Sequence, residues 1–440
     1  MRSPAARTAV VVGAGLAGLT AAMDLVDAGC GVTLLERRPF AGGRTFSFRN
    51  DTGDLLDNGQ HVFLGCCTAY RALLRKLGQE DNAFLQSALD VRIVDAQDGP
   101  ARLREAPLPA PLHLLPSFLR FPYLSATEKL TALPLLLKMR SQRLPEDDTF
   151  EAWLRARGQS ANAIQRFWNL IVIPTCNAPA SMVSAAQAGF VFQEGLLRMR
   201  SGGRMGYARV GLSEIIPERA VEYLAQRGAR LCFGTGAHRL DKAGVLTSQG
   251  ETLQAGAYVL AVPSAELPNL LPEPWAVAAG ALDWAPIVGI NLWFDRPIFE
   301  GDVLCAIVDG QALWLFDRTR ILSKPGPEEH ITVSISAAEA AIETPRRELA
   351  AQVAAQIAKA LPAAAEATLV RSSVEKVRAA TFVPAPGSGR WRLSARTPRP
   401  DVFLAGAWTD TGWPDTMEGA VRSGHAAARL AEDFLQESRH

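Results

Sequence analysis

A glycine pattern near the start of this chain restricts its fold more than any other feature of the sequence. The stretch GAGLAG at 13–18 matches GxGxxG and lies between an apolar run at 9–12 and a segment with helical apolar spacing at 19–28. A second apolar run at 32–35 leads into Glu36. In a strand–turn–helix–strand unit such glycines permit a tight turn, a close approach to a pyrophosphate and close helix packing, and the acid can bind ribose hydroxyls. The pattern predicts a dinucleotide-binding unit, with a nucleotide-free glycine turn as the alternative. The predicted contacts are Gly13, Ala14, Gly15, Leu16, Ala17, Gly18, Glu36 and Arg37.

Composition narrows the function further. The 440 residues are long enough for two to three domains, and a net charge of +1 gives no reason to expect a nucleic-acid partner. The uncharged stretch at 8–23 is similar to a secretory signal, but it ends at Asp24, too early for a membrane span. The six cysteines match no zinc spacing, so no metal is expected. Adjacent Cys66 and Cys67 are interpreted as ordinary buried thiols of a reducing cytoplasm, with a redox pair as the alternative.

A second glycine-rich loop follows the second strand directly. The residues Gly42, Gly43, Arg44 and Thr45 resemble the second fingerprint of flavin amine oxidases and carotenoid-type desaturases. In those families the loop lies against the FAD pyrophosphate, and its arginine neutralises phosphate charge. The resemblance implies FAD as the cofactor and these four residues as contacts. An exposed turn with a solvated arginine is the alternative.

The far end of the chain resembles the C-terminal FAD motif of the same superfamily. An apolar strand at 402–405 is followed by a loop at 406–415 and a helix that runs to about residue 434. The resemblance implies that backbone N–H groups near Met417 and Glu418 meet the flavin pyrimidine ring. The dipole of the helix would favour the negative charge of the reduced flavin there.

One residue departs from the motif. The superfamily usually has Ala-Gly-Asp, whereas here Gly406 is followed by Ala407. Asp410 is the candidate to replace the missing carboxylate. The departure concerns a single FAD hydrogen bond rather than the whole site.

A middle segment completes the predicted nucleotide domain. A helix and two strands between 214 and 241, and a strand ending at Val262, resemble the FAD-domain insert of these oxidases, which implies that Ala237 touches the adenine side. The expected fold is α/β, with a Rossmann-type (GR2-like) FAD-binding domain and an α+β substrate domain. The FAD-binding domain is predicted from 1–100, 205–272 and 383–440, and the substrate domain from 101–204 and 273–382.

The apolar segment at 106–140 has two open interpretations. Its prolines are expected to break both apolar runs, and neither run reaches the roughly 20 residues of a spanning helix. The segment could pack in the core, or it could form an apolar lip that lies on a bilayer and admits a lipid. In the second case its cations would face headgroups rather than water; they are Arg120, Lys129, Lys138 and Arg140.

The rest of the predicted substrate domain is rich in apolar and aromatic residues. The segment at 163–192 predicts a buried helix, a break at Pro174 and another helix. Alternating strands at 287–299 and 312–319 could floor a pocket. Core packing is the default for their aromatic side chains, and a cage for a polyene or a cation is the alternative. These side chains are Trp293, Phe294, Trp314 and Phe316.

A polar turn at 57–61 interrupts this apolar background. In flavin oxidases of this type the corresponding glycine turn lies beside the isoalloxazine ring, which implies contacts from Gly59 and Gln60. Asp57 and His61 could then point at flavin N5 or at a substrate. The alternatives are a turn or cap role for Asp57 and a buried, hydrogen-bonded core role for His61.

The same turn, with FWNLIVIPTCN at 167–177, LWLFDRT at 313–319 and AWTDTGWPDTMEGAVRSG at 407–424, closely resembles the hydroxysqualene dehydroxylases of bacterial hopanoid synthesis. The resemblance covers essentially the whole chain. It implies that hydroxysqualene and reduced FAD give squalene, water and oxidised FAD. Because hydroxide leaves poorly, an acid must protonate the allylic hydroxyl before hydride arrives. We hypothesise that His61 is this acid and that Asp57 orients or replaces it. Glu194 and Asp283 are the next candidates.

Three rival functions remain open at this stage. A phytoene-type desaturase would use the same FAD site to remove hydride from a polyene. An amine or protoporphyrinogen oxidase is disfavoured, because amine oxidases typically place a lysine near flavin N5. Here the candidate lysine, Lys324, lies in a segment that is predicted to be an exposed turn. A catalytically silent lipid carrier with structural FAD is the third. The expected partners are an isoprenoid lipid, a separate electron-donating reductase and the inner face of the cell membrane, with a cytoplasmic location.

Overall fold

The protein is described by a computed structural model covering residues 7–271, 280–299, 301–308 and 313–437. The described strands are β1 Thr8–Val12, β2 Gly31–Glu36, β3 Ser47–Arg49, β4 Leu55–Asp57, β5 Val62–Leu64, β6 Ala83–Leu85, β7 Asp90–Asp95, β8 Gly99–Arg104, β9 Met205–Ala208, β10 Arg230–Phe233, β11 Ala237–Asp241, β12 Gly244–Thr247, β13 Thr252–Leu253, β14 Ala257–Leu260, β15 Trp284–Phe294, β16 Leu304–Ile307, β17 Leu313–Asp317, β18 Glu329–Ile335, β19 Leu369–Phe382 and β20 Val402–Leu404.

Helices of several kinds connect these strands. The α-helices given for the described residues are Leu16–Asp27, Thr68–Lys76, Leu115–Arg120, Ala126–Ser141, Phe150–Arg155, Ala161–Ala163, Asn169–Cys176, Ala185–Phe192, Arg219–Gln226, Arg318–Ile321, Glu339–Glu343, Arg346–Ala360, Pro362–Ala365 and Met417–Glu437. The π-helical turns are Ile164–Trp168, Gln193–Leu197 and Glu214–Glu218, and the 3-10 turns are Leu112–Leu114, Ser264–Asn269 and Ser388–Trp391.

A five-stranded parallel sheet joins both ends of the chain. Its order is β10-β2-β1-β14-β20, and every neighbouring pair is parallel. Val11 packs on the side of the Leu16–Asp27 helix, whereas Val10 and Val12 pack on the opposite side. Helical cover on one face and further packing on the other explain why these strands are apolar throughout. The predicted Rossmann-type unit is confirmed, with the helix starting three residues earlier than its apolar spacing indicated.

A seven-stranded sheet faces this unit across the molecule. Its order is β19-β15-β18-β17-β16-β7-β8, antiparallel except for the β16–β7 pair. Strand β7, which the sequence placed within the first nucleotide-binding segment, therefore hydrogen-bonds in the other sheet. We propose that the first domain boundary lies before Asp90 rather than at residue 100.

Two proline predictions are wrong. Pro134 lies inside the helix Ala126–Ser141, and Pro174 lies inside the helix Asn169–Cys176, which continues to a left-handed Asn177 with φ of 53°. A proline in a helix costs about 3 kcal/mol, because it removes one backbone hydrogen bond and crowds the preceding turn. Buried neighbours on the same helices offset this cost; they are Ala132, Leu135, Met139, Leu170 and Val172.

The segment at 106–140 folds as two short helical segments and most of the helix Ala126–Ser141, and some of its apolar residues are exposed. Phe118, Phe121 and Met139 join the core, whereas Leu119 and Leu130 are 53% and 74% exposed. Lys129 donates a hydrogen bond to the carbonyl of Leu119 at 2.9 Å, so its amine turns back onto the protein instead of outward. Within the described ranges, no helix combines the length and apolarity needed to cross a bilayer.

Candidate active site

A cavity of about 1350 Å³ lies where the two sheets face each other. Glycine-rich loops from the parallel sheet line one part of it, and apolar side chains from the seven-stranded sheet and nearby helices line another. Predicted contacts found in its wall are Gly13, Gly15, Leu16, Ala17, Glu36, Arg37, Gly42, Gly43, Arg44, Thr45, Gly59, Gln60, His61, Ala237, Gly406, Met417 and Glu418.

The first helix presents an open N-terminus to this cavity. Gly15 precedes the helix in an extended conformation, and no side chain caps the first turn. A Cβ on Gly43 would lie 2.9 Å from the Cα of Gly15, so the two glycine loops touch at the backbone. Free N–H groups and the helix dipole make this cradle suitable for a pyrophosphate. The donor set therefore fits the diphosphate of FAD.

Glu36 adds a hydrogen-bond acceptor beside the cradle. Its carboxylate accepts from the backbone N–H of Ala14 at 2.8 Å and of Arg38 at 2.9 Å, and it lines the cavity. Each carboxylate oxygen can accept more than one hydrogen bond, so capacity remains for ribose hydroxyls. Ala14 and Gly18 lie off the cavity wall. Gly18 acts in packing instead, because a Cβ there would lie 1.8 Å from the carbonyl oxygen of Gly13.

Arg44 has a protein partner that the sequence did not reveal. Its guanidinium forms two hydrogen bonds with Asp415, at 2.8 and 2.9 Å. The Asp415 carboxylate also accepts from the backbone N–H of Phe382 at 3.2 Å. The loop at 42–45, called the GGR loop, thus meets the C-terminal motif and strand β19 at one carboxylate. A phosphate at Arg44 would therefore share its guanidinium with Asp415.

Glu418 connects two helix N-termini at the cavity. It lies in the first turn of Met417–Glu437 and accepts from the backbone N–H groups of Ala69 and Tyr70, at 3.0 and 2.8 Å. Its carboxylate also accepts from Arg422 at 2.7 Å. The side chain therefore caps the helix Thr68–Lys76 rather than its own helix, whose first turn donates from the N–H of Gly419 to Thr416 Oγ1 at 3.3 Å.

The adjacent cysteines lie at the start of that capped helix. Cys66 and Cys67 are buried free thiols that line the cavity. A hydrogen bond between the Cys67 and Cys66 thiols, together with burial, raises the pKa of the Cys67 thiol well above its ordinary value. A raised pKa keeps the thiol protonated, which agrees with ordinary buried cysteines.

Among the described residues, no group of three or more His, Cys, Asp or Glu side chains could hold a metal ion.

The structure does not bring Asp410 to the cavity. Asp410 is exposed, whereas Ala407 is buried and lines the wall. The loop between them turns inward around Arg392, whose guanidinium donates to the carbonyls of Ala407 and Thr409 at 3.2 and 2.5 Å. With these carbonyls bound to buried Arg392, the Asp410 side chain lies on the exposed side of the loop. Asp410 is therefore not positioned to replace the missing aspartate.

The polar turn separates into buried Asp57 and four residues that face the cavity, of which Asn58 was not among the predicted contacts. Asp57 is off the wall, and its carboxylate accepts from Ser47 Oγ at 2.7 Å, the N–H of Leu212 at 3.0 Å and Arg318 Nη2 at 2.7 Å. Gly59, Gln60 and His61 line the wall. The alternative role of Asp57 as a turn-holding residue therefore matches the geometry better than direct contact with a substrate.

His61 is held by its own turn. The ring Nδ1 lies 3.0 Å from the carbonyl oxygen of Gly59, and Nε2 has no hydrogen-bond partner among the described residues. Burial lowers the pKa of His61; the nearby charge of Arg44 lowers it further, and that of Asp57 opposes the shift. A neutral imidazole with Nδ1–H donated to a carbonyl leaves Nε2 able to accept and return a proton.

The four aromatic side chains of the predicted strands divide between the core, which was the default prediction, and the apolar part of the cavity. Trp314 and Phe316 line it, whereas Trp293 stacks on His330 at 4.3 Å and Phe294 lies in the core. Glu194 lines the wall as an ion pair with Arg198, and Asp283 does not reach it. Aliphatic residues complete this part; they include Leu89, Val91, Ile93, Leu103, Leu170, Ile171 and Leu196.

Comparisons with known proteins match nearly the whole chain to flavin-dependent oxidoreductases and related enzymes. A family model for flavin containing amine oxidoreductases matches residues 16–431. A hydroxysqualene dehydroxylase of Rhodopseudomonas palustris is 31% identical over 96% of this chain and 98% of that protein. A zeta-carotene desaturase of Zea mays is 26% identical over 96% of this chain and 83% of that protein. A solved oxidoreductase structure from Methanosarcina mazei has a TM-score of 0.74 at 16% identity, over 96% of this chain and 100% of that one, which shows the shared fold.

Proposed function

This chain belongs to the flavin-containing amine oxidoreductases and is an FAD-dependent oxidoreductase; on that premise we propose that it reduces hydroxysqualene to squalene. The observation that carries the proposal is the full-length similarity to a hydroxysqualene dehydroxylase at 31% identity. The geometry supports it, because an apolar cavity suited to a long isoprenoid adjoins the cradle that fits FAD.

We propose that the chain supplies an acid and a dry environment. His61 Nε2 donates a proton to the allylic hydroxyl, the C–O bond breaks, and water leaves. Reduced FAD, when bound, supplies hydride to the carbon. The faces of Trp314 and Phe316 stabilise the developing allylic cation, and the aliphatic wall excludes bulk water. His61 is reprotonated from solvent before the next turnover.

Asp57 is proposed as an orienting residue rather than a second acid. Both of its carboxylate oxygens are occupied by hydrogen bonds from the protein, and it does not line the cavity. It acts by holding the turn from which His61 projects. Glu194 is the alternative acid, since its side chain is in the wall.

The rate of hydroxysqualene reduction is expected to rise as the pH falls. Burial holds the pKa of His61 below its ordinary value of 6.5, and the proton-donating form is the charged one. At neutral pH this form is the minor one, so the rate should increase up to roughly tenfold per pH unit before it levels off below the His61 pKa. The measurement is single-turnover flavin reoxidation between pH 5 and 9, with circular dichroism at each pH as a control for unfolding. A rate that rises with pH would contradict an acid in this role.

A desaturase is the second candidate function, because the zeta-carotene desaturase also matches nearly the whole chain. The two reactions run in opposite directions at the flavin. Reduced protein incubated with hydroxysqualene should yield squalene, and oxidised protein incubated with phytoene should yield no new double bonds. The reverse outcome would establish the desaturase.

We propose that the protein takes its substrate from the inner face of the cell membrane. Exposed leucines concentrate at 108–137, and the cations Arg120, Lys138 and Arg140 lie exposed among them. Apolar side chains flanked by cations are typical of a surface that lies on anionic lipid.

We also propose a separate electron-donating reductase, since the sequence contains a single GxGxxG pattern.

Replacing Leu119 and Leu130 together with glutamate is expected to weaken binding to phosphatidylglycerol vesicles. Each exposed leucine that enters the lipid contributes roughly 1.5–3 kcal/mol, so the loss should be tenfold or more. The measurement is co-sedimentation, and the matched control is Val370→Glu, since Val370 is 49% exposed on β19, outside the segment. Equal sedimentation of the wild type, the double leucine variant and Val370→Glu would show that this segment does not bind the membrane.

A further inference from the structure

A buried ion pair connects the cofactor side of the cavity to its apolar side. Arg318 follows strand β17 and begins the helix Arg318–Ile321. Its side chain is 3% exposed and pairs with Asp57, which is 6% exposed, at 2.7 Å. The same guanidinium donates to Gln60 Oε1 at 3.2 Å.

These contacts hold the turn at 57–61 from two positions. Asp57 begins the turn and Gln60 directly precedes His61, so one planar guanidinium grips both ends. The turn is also packed from below, because a Cβ on Gly289 would lie 3.4 Å from the Cα of Gly59. The turn cannot shift without breaking the ion pair or moving strand β15.

Arg318 also adjoins the residues that line the apolar part of the cavity. Trp314 and Phe316 lie on β17, the strand that leads into Arg318, and are in the cavity wall. The charges that face His61 are those of Asp57 on β4 and Arg44 on the GGR loop, and Asp57 is itself neutralised by Arg318. One arginine therefore governs both the position of His61 and the net charge next to it.

We infer that Arg318 is a positioning residue, which fixes His61 over the cavity and keeps the Asp57 carboxylate paired. The expected effect of Arg318 on the reaction rate rests on the proposed function. Its expected effect on the position and titration of His61 depends only on this chain and its bound FAD. A residue of this kind contributes through geometry, and small displacements of a catalytic group cost roughly tenfold to a hundredfold in rate.

The test compares Arg318→Lys with Arg320→Lys. Lysine keeps the positive charge but cannot bridge a carboxylate and an amide in one plane. Arg320 lies on the same helix and pairs with Asp317 at 2.9 Å, but its side chain is 40% exposed and lies outside the cavity wall. The readouts are the visible circular dichroism of bound FAD and the NMR titration of His61, assigned with His61→Gln. Flavin reoxidation by hydroxysqualene is measured separately.

Arg318→Lys is expected to change the circular dichroism of the flavin and to raise the midpoint of the His61 titration, because the Asp57 carboxylate becomes less neutralised. Its kcat should fall roughly tenfold to a hundredfold with KM nearly unchanged. Arg320→Lys should match the wild type in all three readouts. An Arg318→Lys protein that differs from the wild type only in melting temperature would overturn the inference.

A double replacement keeps the test decisive if the lysine variant does not fold. Asp57→Asn with Arg318→Met removes both buried charges together, which is tolerated far better than removing one of them. The Asp57 carboxylate opposes the lowering of the His61 pKa, so the folded double variant, which lacks it, should titrate at a lower pH than the wild type and show altered circular dichroism of bound FAD. Wild-type behaviour in both readouts would overturn the inference. If wild-type flavin is not reoxidised by hydroxysqualene, the proposed function fails, whereas dichroism and titration still decide the role of Arg318.

Discussion

Replacing Gly15 with valine is expected to give a folded protein that no longer holds FAD. Gly15 has φ of −74° and ψ of 176°, a conformation open to any residue. A Cβ there meets only the Cα of Gly43, at 3.8 Å, so the fold has room for a side chain. The added side chain would occupy the space of the pyrophosphate and cover the open helix N-terminus. We expect FAD affinity to fall on the order of a hundredfold or more, which is about 2.7 kcal/mol.

Two glycines provide controls for this variant. Gly18→Val should fail to fold, since its Cβ would overlap the carbonyl oxygen of Gly13. Gly326→Val should retain FAD, because a Cβ there lies 4.0 Å from its nearest neighbour. FAD content after gel filtration and the melting temperature are the measurements. A yellow Gly15→Val protein with wild-type FAD content would show that the pyrophosphate does not bind at this helix.

Replacing His61 with glutamine is expected to slow hydroxysqualene reduction by on the order of a hundredfold to ten-thousandfold, the usual contribution of a general acid. Glutamine can keep a hydrogen bond to the carbonyl of Gly59 but cannot deliver a proton at neutral pH. FAD binding should be unchanged, because the cradle lies on other loops. Single-turnover reoxidation of the reduced flavin measures the effect.

His238→Gln is the matched control. His238 also lines the cavity but lies on β11, beside Ala237. This variant should react at the wild-type rate. A His61→Gln protein within a factor of about three of the wild type would exclude His61 as the acid and bring forward Glu194.

The nucleotide-binding half of the fold could be predicted from the sequence because its signals are local. The glycines at 13–18, Glu36 and the loop at 42–45 follow one another within a single strand–helix–strand unit. The spacing of those glycines and Glu36 indicates a nucleotide-binding turn, whereas the role of the loop at 42–45 is what its resemblance to flavin amine oxidases implies. The C-terminal helix was predictable from its local sequence pattern.

The ion pairs that organise the site could not be predicted, since their partners are far apart in the chain. Arg44 pairs with Asp415, and Asp57 pairs with Arg318. No local pattern selects one aspartate among many for a given arginine. The sequence left Asp57 open between the cavity and a turn-holding role, and its pairing with Arg318 in the protein interior favours the second. Asp410 was misplaced, because Arg392 holds the carbonyls of its loop and turns the side chain outward.

The continuation of two helices through their prolines was missed for an energetic reason. Local rules treat Pro134 and Pro174 as helix ends, and their cost of about 3 kcal/mol is real. Tertiary burial of neighbouring side chains offsets that cost, and burial is not visible in the local sequence.

The most direct test of the account is to mix anaerobically reduced, FAD-loaded protein with hydroxysqualene and to follow the visible spectrum. We predict that the spectrum of oxidised flavin returns and that one squalene forms per flavin reoxidised. A flavin that stays reduced in the presence of hydroxysqualene, while a polyene is desaturated by the oxidised protein, would contradict the proposed reaction.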